Sequence, residues 1–255
     1  MNPTRASDSD CAGNLFAVFA SIQGEGPHVG ESHLFVRLAG CNAGCTYCDT
    51  PEALSIPKTA TVYTRDGLIH VPNPCTARRL AEIIDGFLNS SAFAAIAITG
   101  GEPLQQPGFI RALTGMLPTV RPRVLLETNG LLPEALSQVI DIVDIVSADW
   151  KLASTGVPSA NEARSTQFVG IASARCETIV KIPFSASTST EEVLSAVRMI
   201  TSVAPSAIIV LQPITEPHGV CRIPPVAILA LHQACLRVNG GVRVIPQVHK
   251  MLMIR

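Results

Sequence analysis

The chain has 255 residues, of which 47% are hydrophobic but only 4% aromatic, so its core is expected to be aliphatic. Its 19 basic residues nearly balance its 20 acidic ones, and the formal net charge of -1 gives no electrostatic footprint for binding nucleic acid or an anionic membrane surface. No apolar run reaches the roughly 18 residues that a transmembrane helix needs.

The N-terminus is polar, and residues 1–13 are expected to form a disordered tail. It lacks the apolar centre of a secretory signal, which predicts a cytoplasmic protein. Because cytosolic thiols are normally reduced, the eight cysteines are not expected to form disulfides, and a close group of them indicates a metal or a cluster. Without repeats or low-complexity linkers, residues 14–255 are expected to form a single domain.

Short aliphatic segments alternate with amphipathic ones along the chain. The candidate strands cover residues 34–38, 95–99, 123–127, 143–148, 178–182, 208–212 and 242–245. The candidate helices cover residues 76–89, where apolar residues recur at helical spacing, and begin near Ser189, which opens a capping-box pattern, and near Pro224.

Strands that are apolar on both faces and alternate with helices predict an α/β fold with a parallel sheet covered on both sides. Six or so such units indicate a partial (β/α)6-type barrel, and a doubly wound sheet is the alternative. In either fold the active site is expected at the carboxyl ends of the strands. Residues 59–74 break the alternation, and Asp66-Gly67 within them predicts the turn of an inserted β-hairpin.

Three cysteines follow the first core strand within FVRLAGCNAGCTYCDT, at Cys41, Cys45 and Cys48. Structural zinc nearly always takes four protein ligands, whereas a 4Fe-4S cluster held by three thiolates keeps one iron open for a substrate or cofactor. Gly40 and Gly44 supply the backbone freedom that a tight loop around a cluster requires. The spacing favours the cluster over zinc and over three unligated thiols.

Further motifs stand where the next three strands end. They are ITGGEP at residues 98–103, ETNG at 127–130 and SADWK at 147–151. Each alone is also an ordinary turn or loop. Their order, each directly after an aliphatic strand, favours one shared site.

With these motifs the chain resembles the radical S-adenosylmethionine (SAM) enzymes, and among them the 7-carboxy-7-deazaguanine synthase family. The resemblance to the 7-carboxy-7-deazaguanine synthase family is carried by SIQGEG at 21–26, residues 34–50, ITGGEP, ETNG and RVIPQVHK at 243–250. It implies a radical SAM barrel and a carbon–nitrogen lyase that contracts 6-carboxy-5,6,7,8-tetrahydropterin to 7-carboxy-7-deazaguanine with loss of ammonia. It further implies a 4Fe-4S cluster, catalytically used SAM, Mg2+, a flavodoxin or ferredoxin as electron donor, and a homodimer. The product would feed queuosine or another 7-deazapurine.

The same resemblance assigns roles to residues of this chain. The cluster ligands would be Cys41, Cys45 and Cys48, and the Mg2+ ligand would be Thr50, whose alternative role is a helix cap. The residues that would contact SAM are Tyr47, Cys48, Asp49, Gly100, Gly101, Glu102, Glu127, Asn129, Ser147, Asp149 and Lys151. The residues that would contact the substrate are Ile22, Gln23, Gly24, Glu25, Arg37, Thr99 and Gln212.

The cysteine motif is also compatible with two other functions. One is a radical SAM activating enzyme that forms a glycyl radical on a protein partner, which Gln23 to Gly26 and Arg37 disfavour because they suit a small carboxylated heterocycle. The other is a non-enzymatic zinc-binding module. The chain also has Pro51-Glu52-Ala53-Leu54 where family members often have an aromatic residue, so the cover of the substrate is expected to differ.

Overall fold

Strands and helices alternate along most of the structure, a computed structural model that describes residues 11–254. Over this range the strands are β1 (Ala12–Gly13), β2 (Leu15–Ile22), β3 (Ser32–Leu38), β4 (Thr59–Thr64), β5 (Gly67–Pro72), β6 (Cys75–Thr76), β7 (Ala95–Gly100), β8 (Arg123–Thr128), β9 (Ile145–Asp149), β10 (Glu177–Phe184), β11 (Ile208–Pro213) and β12 (Arg243–Val244). The α-helices are α1 (Ala77–Ser90), α2 (Pro107–Thr114), α3 (Pro133–Leu136), α4 (Glu162–Ser173), α5 (Thr190–Val203), α6 (Pro225–Leu236) and α7 (Val248–Leu252).

The main sheet of the described residues has the strand order β12-β11-β10-β9-β8-β7-β3-β2-β4-β5. From β3 through β7 to β12 each neighbour is parallel and is the next core strand along the chain, with one of the helices α1 to α6 between them. A doubly wound sheet would reverse its direction of growth at a switch point, and this sheet does not. The predicted partial (β/α)6-type barrel is therefore confirmed.

The other edge of the sheet differs from the sequence-based expectation. Strand β2, which was not predicted from the sequence, pairs antiparallel with β3 and parallel with β4. The predicted hairpin exists as β4 and β5, and it extends the main sheet instead of standing apart from it. Its turn is formed by Arg65 and Asp66, because Gly67 already pairs with Thr64. The predicted Asp66-Gly67 turn is thus wrong by one residue.

Of the expected N-terminal tail, residues 1–10 lie outside the described residues. Ala12 and Gly13, by contrast, form β1 and pair with Thr76 and Cys75 in β6. The backbone N–H of Ala77 also donates to the carbonyl of Cys11 at 2.8 Å. For residues 11–13 the structure therefore shows ordered chain where a disordered tail was expected.

The three predicted helices form close to their expected positions. In α1, Leu80 and Ile84 are fully buried against the sheet. Helix α5 is capped by the Ser189 hydroxyl, which accepts from the Glu192 N–H at 3.2 Å. Helices α2 and α4 were not predicted, since α2 has eight residues and α4 buries a serine on its inner face. Within residues 11–254, no helix combines the length and apolar character needed to cross a bilayer.

The inward face of the sheet changes from apolar to polar along the strands. A layer of apolar side chains fills the barrel, consisting of Ala17, Phe19, Phe35, Ala95, Ala97, Leu125, Ile145, Ile179 and Val210. Strand side chains alternate in direction, so the residue two positions further on faces the same way. The inward-facing residues two positions after this apolar layer lie nearer the carboxyl ends of the strands and are largely polar. They include Arg37, Thr99, Glu127, Lys181 and Gln212. The fold thereby sets a polar cavity on an apolar floor.

Candidate active site

A cavity of about 970 Å³ opens at the carboxyl ends of the parallel strands. Its wall comes from the cysteine loop, from the ends of β3, β7, β8, β9, β10 and β11, from the loop after β2 and from the C-terminal segment. The hairpin contributes Tyr63, which meets Phe19 edge-on with ring centroids 6.5 Å apart. All four motifs recognised in the sequence therefore reach one space.

The cysteine loop places Cys41, Cys45 and Cys48 on the cavity wall as free, partly exposed thiols. Gly40 and Gly44 have φ values of +94° and +65°, which explains the two glycines at the bends of the loop. Burial raises the pKa of the Cys45 thiol, and Lys151 opposes that effect.

The spacing of the sulfurs bears on what they can bind. In a tetrahedral zinc site with Zn–S bonds of about 2.3 Å, the sulfurs lie roughly 4 Å apart. Among residues 11–254, the group of three His, Cys, Asp or Glu ligand atoms that lies within 4.8 Å of one another is Glu25, Asp49 and His249. The cysteines are not such a group, so their sulfurs are arranged more widely than one zinc ion needs.

The Gly-Gly-Glu segment at the end of β7 lies directly against the cysteine loop. A Cβ atom on Gly101 would overlap the carbonyl oxygen of Gly40, so only glycine allows the two backbones to approach. The N–H of Glu102 donates to that same carbonyl at 2.7 Å.

The Glu102 side chain is fully buried and does not line the cavity. It accepts hydrogen bonds from the N–H of Leu104, the hydroxyl of Thr128 and the N–H of Asn129, at 2.9, 2.9 and 2.7 Å. Burial raises its pKa to about 7, despite these three donors. In this structure Glu102 fixes the loop after β8 and does not line the space where SAM contacts were predicted.

The loop after β8 is held by its asparagine. Asn129 donates through Nδ2 to Oδ1 of Asn42 at 2.8 Å and accepts from the Leu131 N–H at 3.0 Å. Asn42 was not singled out in the sequence, although it stands inside the cysteine motif. The contact joins the cysteine loop to the third strand-end motif.

A buried ion-pair network lies below the cysteine loop. Lys151 is 2.6 Å from Asp149, whose other oxygen is 3.1 Å from Lys181, and Lys181 also pairs with Glu25. Burial alone would raise the pKa of Asp149, but Lys151 and Lys181 outweigh it and hold that pKa below its ordinary value. Ser147, also predicted to contact SAM, is buried in β9 and does not line the cavity.

A second polar group surrounds Arg37. Its guanidinium lies 5.6 Å from the ring centroid of Phe19 and donates to Oγ1 of Thr50 at 2.5 Å, and that hydroxyl donates to Asp49 at 3.1 Å. Burial would raise the pKa of Asp49, but His249 and Arg37 hold it well below the ordinary range. Among the described residues Arg37 has no carboxylate within ion-pair distance, so its charge is available to a ligand.

The C-terminal segment, whose Gln247 and His249 were expected to support the substrate or a dimer interface, completes the wall. Gln247 donates to Glu25 at 2.9 Å, and the Val248 N–H donates to the carbonyl of Gly24 at 2.9 Å. His249 is 3.4 Å from Asp49. The segment RVIPQVHK therefore connects the loop after β2 with the cysteine loop.

Comparison with known proteins agrees with this site. The model of the radical SAM superfamily matches residues 36–215. The chain is 34% identical to the 7-carboxy-7-deazaguanine synthase of Geobacter sulfurreducens over 93% of this chain and 96% of that protein, and 35% identical to that of Methanopyrus kandleri over 94% and 93%. The chain belongs to the 7-carboxy-7-deazaguanine synthase family of radical SAM enzymes. A crystal structure of QueE from Escherichia coli shares the fold, with a TM-score of 0.62 and 18% identity over 95% of this chain and 97% of that one.

The cavity divides the residues predicted for this 7-carboxy-7-deazaguanine synthase family member into those that line it and those that do not. Those that line the cavity are Ile22, Gln23, Gly24, Glu25, Arg37, Cys41, Cys45, Tyr47, Cys48, Asp49, Thr50, Thr99, Gly100, Gly101, Glu127, Asn129, Asp149, Lys151 and Gln212. Glu102 and Ser147 do not. Lys181, which the sequence did not single out, and His249, which was expected to support the substrate or a dimer interface, also line it. The family also decides against the glycyl-radical activating enzyme and the zinc module.

Proposed function

We propose that the protein contracts 6-carboxy-5,6,7,8-tetrahydropterin to 7-carboxy-7-deazaguanine, with release of ammonia and with SAM regenerated. The observation that carries the proposal is the placement of Arg37 in the same cavity as the three thiols. A half-buried guanidinium without a carboxylate partner among the described residues favours a carboxylated ligand, which would bind it through charge-assisted hydrogen bonds. The family assignment supports the same substrate.

The residues present fit the cofactors of the family. The thiols of Cys41, Cys45 and Cys48 would hold the cluster, and their position on one cavity wall and the glycine-bent loop that carries them support this. A 4Fe-4S cluster with SAM supplies one-electron cleavage of the sulfonium and a radical that takes hydrogen from the substrate. Tyr47, Gly100, Gly101, Asn129 and Lys151 border the adjoining space and would orient SAM.

Thr50 and Asp49 would hold Mg2+. The Thr50 hydroxyl uses one lone pair for Arg37 and its hydrogen for Asp49, which leaves a second lone pair for a cation. The lowered pKa of Asp49 keeps that carboxylate ionised at neutral pH beside the threonine. Magnesium takes few protein ligands, so substrate and water would complete its coordination.

The remaining polar groups of the cavity would orient the pterin. The buried Gln212 has a side-chain oxygen without a hydrogen-bond partner among residues 11–254, and it could accept from a ring N–H or amino group. Lys181 and Gln247 hold the Glu25 carboxylate in place from two sides. The ring of Phe19, stacked on Phe35 with centroids 5.1 Å apart, excludes water from the floor.

The proposal extends to partners. A flavodoxin or ferredoxin would supply the electron, and the protein would act in the cytoplasm as a homodimer. Support for a dimer comes from α6, on which Val226 and Leu229 are 75% and 58% exposed. Light scattering at micromolar concentration would test the dimer, because a monomeric mass would contradict it.

The deciding experiment is an anaerobic assay of the reconstituted protein with SAM, Mg2+, a strong reductant and 6-carboxy-5,6,7,8-tetrahydropterin, followed by mass spectrometry. Formation of 7-carboxy-7-deazaguanine without stoichiometric loss of SAM is expected. An Arg37→Met variant should keep its iron and sulfide but lose most affinity for the pterin. Cleavage of SAM with an untouched pterin would show that the substrate is wrong.

A further inference from the structure

His33 is a fully buried polar residue near the start of β3, outside every motif discussed above. It faces the barrel interior on the same side of the strand as Phe35 and Arg37, with its ring centroid 5.9 Å from that of Phe35. It does not line the cavity. Any influence of His33 on a bound ligand must therefore pass through its neighbours.

The two ring nitrogens of His33 have different partners. Nε2 lies 3.2 Å from Oε2 of Glu31, and Nδ1 lies 3.5 Å from Nε2 of Gln23. An amide nitrogen can only donate, so Nδ1 must be the acceptor. The ring hydrogen is then on Nε2, where it is donated to the Glu31 carboxylate. The contacts thus select one neutral tautomer of His33.

The amide of Gln23 has one orientation that satisfies its surroundings. Its oxygen accepts from the Glu25 N–H at 3.0 Å, and its nitrogen donates to Oε1 of Glu127 at 2.9 Å. The reversed amide would set its oxygen against a carboxylate and its N–H groups against another N–H. The second hydrogen of the amide nitrogen is left to face His33. Both donors of Gln23 are consequently directed to protein groups.

The far end of this chain of contacts is anchored. Glu31 also meets Nδ1 of His28 at 2.9 Å, and Nε2 of His28 meets Glu177, at the start of β10, at 2.7 Å. The loop between β2 and β3 is therefore attached to the sheet on the side away from the cavity. Gln23 and Glu127, at the other end, both line the cavity.

We propose that His33 is a positioning residue, which through the amide of Gln23 sets the direction of the Glu127 carboxylate in the substrate cavity. The resemblance placed Glu127 among the SAM contacts, but its hydrogen bond with Gln23, a predicted substrate contact, favours a role of its carboxylate toward the pterin, and this role rests on the proposed function. Burial lowers the pKa of His33. Glu31 and Glu127 act in the opposite direction, whereas His28 also lowers this pKa. The neutral ring, with its acceptor at Nδ1, is thereby kept at neutral pH. A charged ring would turn a second donor toward Gln23.

Two substitutions of His33 distinguish a role in positioning Gln23 from a role in packing alone. His33→Asn keeps an oxygen near the place of Nδ1, whereas His33→Gln places its polar end near Nε2 and loses that acceptor. In the reconstituted enzyme, His33→Gln should lower kcat/KM for the pterin by about threefold to tenfold, the effect of one hydrogen bond. His33→Asn should stay within about twofold of the wild type. The same pair of substitutions at the exposed His70 should change nothing.

Equal losses in both variants, or no loss in either, would overturn the proposal. A second readout needs no turnover, namely the imidazole nitrogen signals of 15N-histidine-labelled wild-type protein, assigned with His33→Gln. The expected spectrum shows His33 as the neutral Nε2–H tautomer, with an Nδ1 signal that moves in Gln23→Leu. An Nδ1–H tautomer of His33, or an Nδ1 signal that is unchanged in Gln23→Leu, would also overturn the proposal. If the wild type failed to convert the pterin, the proposed function would fall while these spectra still decided the role of His33.

Discussion

Lys181 and Asp149 stand directly opposite each other on β10 and β9, with Nζ of the lysine 3.1 Å from the carboxylate. Each has a second partner, Glu25 for the lysine and Lys151 for the aspartate. Two cations and two anions are thus balanced in the interior of the barrel. Because the network includes the loop after β2, it links the sheet to the predicted substrate contacts.

Replacement of Lys181 by methionine should be strongly destabilising. It leaves Asp149 and Glu25 buried without their shared cation, and breaking a buried pair from one side typically costs about 3–5 kcal/mol. Urea unfolding of the reconstituted protein measures this. As a control, Arg79→Met removes an exposed pair with Glu82 and should change the free energy of unfolding by less than about 1 kcal/mol. Equal effects of the two substitutions would contradict a buried network.

Substitution of Cys45 by alanine should abolish cluster binding and all turnover. The two remaining thiolates cannot hold a cluster that needs three. The aliphatic core does not include Cys45 and should stay folded. Iron and sulfide analysis with circular dichroism checks both halves of the expectation. The control is Cys221→Ala, at an exposed cysteine far from the motif in sequence, which should retain a full cluster. A full cluster in Cys45→Ala would remove that residue from the ligands.

Thr50→Ala should raise the Mg2+ concentration needed for half-maximal activity, with the cluster intact. The substitution removes the hydroxyl between Arg37 and Asp49 and hence the neutral oxygen offered to the ion. Thr50→Ser keeps that oxygen and should behave nearly as the wild type. Mg2+ titration of all three proteins is the measurement, and an unchanged requirement in Thr50→Ala would assign the ion to other groups.

The parts of the site that the sequence predicted are those with local signals. The three cysteines and the motifs after β7, β8 and β9 each occupy a few consecutive residues at strand ends, so the alternation of strands and helices was sufficient to place them together. Most of these residues do line one cavity. Glu102 is an exception, because its motif was visible but the direction of its side chain depends on the donors of another loop.

The parts that the sequence did not reveal depend on distant contacts. Lys181 appears as one charged residue in the apolar run TIVKI, and only the pairing of β10 with β9 gives it a partner. His249 stands 200 positions from Asp49, which it meets in the structure. Strand β2, with the largely apolar sequence LFAVFASI, was not predicted. A lone lysine inside a buried parallel strand was the one available signal, since such a charge needs a partner.

A methyl group at Gly101 should disturb the cluster loop. The added Cβ would overlap the carbonyl of Gly40, so one of the two backbones must move. We expect Gly101→Ala to lower the iron and sulfide retained after reconstitution and to lower the unfolding temperature. Gly86→Ala is the matched control, because Gly86 is in the interior of α1 with no atom within 4 Å of an added Cβ. It should stabilise the protein by about 0.5–1 kcal/mol.

Glu102 should make stability depend on pH in a definite direction. Burial raises its folded pKa to about 7 from an ordinary value of 4.5, so between these values the folded state binds more protons than the unfolded state. The free energy of unfolding therefore falls as pH rises from 4.5 through 7, by roughly 3 kcal/mol for a shift of this size. Glu102→Gln has no proton to lose. We expect the stability of the wild type relative to Glu102→Gln to decrease over this pH range in urea unfolding, and a constant difference would show that the carboxylate is already ionised at pH 5.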